Sequence, residues 1–161
     1  MKNIVSPFAL MLVCLTQFWF SCATTPSENQ TETKAKVDTL AFTPVKNYFV
    51  NNTLDSSGLF VVNSNENRLA LFGMATVMGP NGKPTEYNAE TQTLLAYILP
   101  ETDTATDIIP LRVERIDSNT LQFCCRITHG DSAMSYRIRP FSAIIIEKQA
   151  QQQIRFLEVA E

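Results

Sequence analysis

Along the second half of the chain apolar and polar residues alternate. Leu121, Phe123, Cys125 and Ile127 fall on one face and Gln122, Cys124, Arg126 and Thr128 on the other, as in a strand with one side against a core and the other toward water. On this reading Cys125 is core and Cys124 is exposed. Thr128 to Asp131 reads as a tight turn around Gly130, after which Met134, Tyr136 and Ile138 resume an apolar face opposite Ser135, Arg137 and Arg139. The pattern predicts a hairpin. Leu111 and Val113 alternate with Arg112 and Glu114, while Leu94 to Leu99 and Ala143 to Ile146 are unbroken apolar runs of the length expected for buried strands. Ile154 to Val159 predicts a last strand.

The first half is more heavily punctuated. Val45 to Val50 and Leu59 to Val62 are β-rich and separated by Asn51, Asn52 and the stretch Asp55 to Gly58. Asn63 stands three residues before Glu66, and Leu69, Phe72 and Gly73 follow, a spacing that predicts one short helix begun by a capping box and ended at the glycine. Met74 to Met78 extends again before the turn-rich stretch from Gly79 to Pro84. The expected fold is all-β: seven to nine strands at short spacing with one short helix over residues 44 to 161, which implies a closed barrel or a sandwich.

The N-terminus has a different character. Lys2 precedes an apolar stretch that runs unbroken from Phe8 to Leu15 and is interrupted by Pro7, Thr16 and Gln17. It is too broken for a spanning helix, which takes roughly 20 apolar residues, and reads as a signal peptide over residues 1 to 21. Trp19, Phe20, Ser21 and Cys22 then pass at once into polar sequence, so the boundary resembles a lipobox, with Trp19 and Phe20 in place of its usual smaller residues. Cys22 is the expected lipidation site; Cys14, preceded by Val13 and followed by apolar residues, is the weaker competitor. Residues 22 to 43, rich in Thr, Ser, Glu, Asn and Gln, read as lipidated cysteine and flexible tether, about 25 Å long on average as a random coil. Leu40 and Phe42 are the residues in it suited to docking. The expected address is the outer membrane, through the lipid anchor.

Charge narrows the partners. Loss of residues 1 to 21 removes one of 13 basic residues, leaving 12 against 16 acidic ones, a net charge of −4. No basic stripe remains, so a nucleic-acid partner is not expected, and the free domain is expected to be monomeric. With Cys14 removed and Cys22 acylated, adjacent Cys124 and Cys125 are left. They point to opposite faces of one strand, and no disulfide framework is available.

The sequence offers no catalytic set. A single histidine, His129, cannot build a histidine metal cage, and its placement beside Asp131 in a turn does not make a triad. The segment Gly79 to Thr85 lacks Walker spacing, and Pro84 removes an amide that an anion cradle would use. Glu101, Asp103 and Asp107 do not have the spacing of a calcium loop. Cys124 beside Arg126 has no resolving partner for redox work. No catalytic residue, metal or cofactor is expected.

Five segments carry a family resemblance: Lys46 to Asn52 (KNYFVNN), Leu71 to Ala75 (LFGMA), Met78 to Thr85 (MGPNGKPT), Pro100 to Asp103 (PETD) and Tyr136 to Pro140 (YRIRP). Together, across residues 45 to 159, they resemble the potempins, small outer-membrane lipoproteins of anaerobic diderm bacteria. The resemblance implies inhibition of secreted peptidases, with eight-stranded up-and-down barrels set against serine peptidases and five-stranded OB-folds against metallopeptidases; the strand count suits the former, so the fold it implies is a small up-and-down barrel of about eight antiparallel strands with one short helix. It fixes no contact residue. An inhibitory loop must be exposed and stiff, because preorganisation lowers the ordering cost of binding. Met78, Gly79, Pro80, Asn81, Gly82 and Lys83 form the preferred candidate, with Asn52 to Ser57 and His129 to Ser132 as alternatives. The competing readings are a barrel that holds a small apolar ligand in its interior and a structural surface lipoprotein.

Overall fold

Two apolar runs form the centre of the molecule. A computed structural model describes residues 37 to 150 and 153 to 160, and in it β6 (Gln92–Ile98) and β9 (Phe141–Glu147) pair antiparallel, Leu95 opposite Ile144 and Leu94 opposite Ile145. β2 (Thr43–Pro44) and β4 (Gly58–Val62) flank them to complete one four-stranded sheet. This sheet is covered on both sides, which is why its inner strands are apolar at nearly every position rather than at alternate ones.

Leu95, Ile144 and Ile146 on one face meet Val113, Leu121, Phe123 and Cys125 of the second sheet. That sheet runs β1 (Asp38–Leu40), β7 (Thr102–Arg115), β8 (Thr120–Ile138) and β10 (Gln153–Glu158). Between the sheets Tyr97 stacks on Phe156 at 3.5 Å between ring centroids, with Phe123 edge-on to Phe156. The opposite face, carrying Leu94, Ala96, Ile98 and Ile145, is closed by Tyr48 and Phe72. These belong to a two-stranded ribbon of β3 (Tyr48–Val50) and β5 (Phe72–Met74), between which the chain passes through β4 and α1 (Asn65–Leu71).

The all-β class with one short helix holds, but the closed up-and-down barrel does not. The strands form two four-stranded sheets and a ribbon, and β10 lies parallel to β8, which no up-and-down order allows. The space a barrel would enclose is filled by side chains: Leu95, Leu121, Phe123 and Ile144 are fully buried. The middle of the space between the sheets is therefore packed, and a partly open cleft of about 520 Å³ is lined by Val61, Leu121, Ile146 and Ile154 among others.

Several local expectations also change. Thr128 to Asp131 is not a turn: β8 continues through it, and the hairpin reverses instead at residues 116 to 119. Thr106 pairs with His129 but Thr104 with Ala133, so the extra residues around Gly130 are absorbed as a bulge, the other use of glycine in a strand. The helix is capped by Ser64, whose hydroxyl accepts from Asn67 N–H at 3.1 Å; Asn63 accepts from Thr93 instead. Gly73 does not end the helix. It lies in β5 beneath the Phe49 ring, where a Cβ would meet ring carbon at 2.1 Å. The domain also begins earlier than residue 44, since Asp38–Leu40 pairs with β7 and Leu40 and Phe42 pack on the core. The expected signal peptide, Cys14, Cys22 and the tether up to residue 36 lie outside the described residues.

Candidate functional site

The six residues Met78 to Lys83 sit in a loop that leaves β5 and returns at Thr85, and both of its ends are tied to the short link before β3. Ala75 N–H donates to Asn47 O at 3.0 Å and Thr85 N–H to Lys46 O at 3.2 Å, while Lys46 N–H donates to Thr85 Oγ1 at 2.9 Å. Tyr48 Oη adds a bond to Thr85 O at 2.9 Å. The base of the loop is thus a continuation of the β3–β5 ribbon in hydrogen bonding, though not in strand geometry.

Inside the loop a tight turn closes on itself. Gly82 N–H donates to Gly79 O at 3.2 Å, with Pro80 and Asn81 at the corners and Asn81 at φ +65°. Proline followed by a left-handed asparagine is the signature of a type II turn. Val77 N–H donates to Gly82 O at 2.9 Å, so close an approach that a Cβ on Gly82 would fall 1.8 Å from Val77 O. Gly79 stands at φ +110°, a conformation side chains rarely adopt.

One side chain fastens this turn to the body. Asn47, itself at φ +61°, donates through Nδ2 to Asn81 O at 3.0 Å and to Lys83 O at 3.1 Å. The sequence pattern did not single out Asn47 as holding the loop; its partners lie more than thirty positions away, and the available signal was an asparagine just before a strand. Held in this way, the loop presents Met78 fully to solvent at 101 % relative exposure, with Val77 half exposed beside it.

The alternative loops fare differently. His129 to Ser132 lies within β8 and is no loop. Asn52 to Ser57 is a genuine connection, anchored at its start by Asn51 Nδ2 donating to Leu69 O at 2.8 Å and Ala70 O at 3.0 Å, but it carries no comparable clip across its middle among the described residues.

The other residues singled out by sequence are dispersed. His129 Nδ1 is 3.0 Å from Thr106 Oγ1, with the donor set by the ring's tautomer, and the same hydroxyl lies 3.1 Å from Thr104 O. Glu101 faces Arg137 and Arg139 at 3.7 and 3.8 Å. Among the described residues no three His, Cys, Asp or Glu side chains converge.

Cys124 is buried rather than exposed, enclosed beside Glu114, which ion-pairs with Arg112. Burial raises its thiol pKa, the opposite of an activated cysteine. Cys125 is core as expected, and burial, then the neighbouring Cys124, push its thiol up to about 12. No helix among the described residues is long and apolar enough to cross a membrane. Comparison with family models, with curated proteins and with solved structures finds no match to this chain.

Proposed function

We propose that this chain is a lipid-anchored inhibitor of a secreted peptidase, attached to the outer membrane through Cys22 and blocking the active-site cleft with the loop Met78 to Lys83. The observation that carries the reading is the Asn47 clip beneath a loop whose apolar tip, Met78, is wholly exposed. A loop already held in shape loses little conformational freedom on docking, so more of the contact energy appears as affinity. Met78 is the side chain offered to an apolar specificity pocket, and Pro80 within the turn and Pro84 just after it stiffen the chain.

Serine peptidases are the first class to test, on the resemblance. The open sheets remove the barrel argument for that class, so the panel has to be wider. Residues 23 to 161 incubated with serine, metallo- and cysteine peptidases secreted by the same organism should abolish the activity of at least one at equimolar concentration. Full activity of every enzyme in the panel sinks the proposal.

A further inference from the structure

Beside the loop lies a cleft of about 570 Å³ between α1 and residues 83 to 87, and it contains a cation with no counter-ion among the described residues. Arg68, on α1, is 9 % exposed, and its Nη1 is closed off from solvent with no hydrogen-bond acceptor. No ion pair among the described residues involves it. Its side-chain partner is the neutral Tyr48 phenol, whereas most buried charges are matched by an opposite charge. An arginine stem can lie along apolar surface while its head reaches water, and here the residue lines the cleft while Nη1 alone of its nitrogens is closed off without an acceptor.

The walls are fixed and mostly aromatic. Tyr48 Oη donates to Thr85 O and Tyr87 Oη donates to Val62 O at 2.8 Å, so neither phenol is free to turn away. Burial raises the pKa of both, and the Arg68 charge pulls both back, which places the guanidinium within electrostatic reach of the two rings. Met74 and Pro84 add apolar surface. Arg68 and Lys83 against Glu86 leave the lining with one net positive charge.

We propose that this cleft binds a monocarboxylate with an apolar, ring-sized body, its carboxylate on the Arg68 guanidinium and its body between Tyr48 and Tyr87. The planar fork of arginine matches a carboxylate in two parallel hydrogen bonds. A single net positive charge suits a monoanion better than a dianion, and the cleft is larger than a bare inorganic anion fills. The inference goes beyond peptidase inhibition and stands independently of it.

The test uses the full-length protein in detergent, with benzoate, benzamide and inorganic phosphate as probes followed by ligand-observed NMR and by the guanidinium resonances of Arg68. Benzoate is expected to bind and to shift the Arg68 signal; benzamide, of the same shape without the charge, and phosphate are not. Arg68→Gln should weaken benzoate by about tenfold or more, the scale of a lost charge-assisted hydrogen bond, and Arg68→Lys should weaken it less. Where Arg68→Gln does not fold, the benzoate and benzamide comparison on the native chain decides. No benzoate binding, binding equal to that of benzamide or phosphate, or binding unchanged in a folded Arg68→Gln would each overturn the proposal.

Discussion

Asn47 performs with one amide the work that a second strand would otherwise do for the loop. Asn47→Ala removes two hydrogen bonds and puts a less tolerant residue at positive φ, which together should cost about 1–3 kcal/mol. Thermal unfolding should show that loss, and limited proteolysis should cut between residues 77 and 83 where the native chain resists. Asn47→Gly relieves the backbone but not the clip, so it should recover stability without recovering resistance. Cys125 supplies a prediction in pH. A thiol whose pKa is higher folded than unfolded contributes stability that is whole below the unfolded value and is lost as pH rises toward the folded one. With Cys125 up at about 12 against an ordinary 9, and Cys124, Tyr48 and Tyr87 raised by burial in the same sense, stability should fall as pH climbs above about 9. Denaturant titrations at stepped pH should show a shallower alkaline loss in Cys125→Ala. Cys125 was legible from alternation alone. Cys124 was not, because the cross-strand neighbours that cover it, Arg112 and Glu114, come from another element.

At the scale of elements, β6 and β9 are the pair on which both cores rest. Ile144 is fully buried between the sheets, and Ile144→Ala should destabilise by about 2–5 kcal/mol, whereas Ile116→Ala, at a half-exposed position in the hairpin turn, should change stability by less than about 0.5 kcal/mol. Chemical denaturation of the two variants side by side measures the contrast. Long apolar runs made these strands readable, as did the alternation of Leu121 to Ile127. Three things were not readable. Asp38–Leu40 and Thr43–Pro44 are too short and polar to show a period, and are strands because β7 and β9 offer open edges there. Gly130 and Asp131 signal a break in regular pairing, yet a bulge and a turn use the same residues. The choice between a closed barrel and open sheets depends on the parallel placement of β10, which no local pattern in Gln153–Glu158 encodes.

For the whole molecule, the proposal joins an anchor, a reach and a fixed loop. The anchor has its own test: cells fed labelled palmitate should label the native chain and not Cys22→Ser, even with Cys14 intact, and label retained in Cys22→Ser would remove the membrane tether from the account. The candidate loop itself was legible as a rigid segment between Pro80 and Pro84, and its clip was not, since Asn47 and Asn81 meet only through the fold. The most direct measurement of the central claim is a titration of an inhibited secreted peptidase with the native chain, with Met78→Asp, and with Thr53→Asp in the loop that follows the other end of the β3–β5 ribbon, all shown to be equally folded. The account predicts that the native chain and Thr53→Asp inhibit alike while Met78→Asp loses inhibition by about tenfold or more, as a charge placed in an apolar pocket requires. Equal inhibition by all three would contradict it.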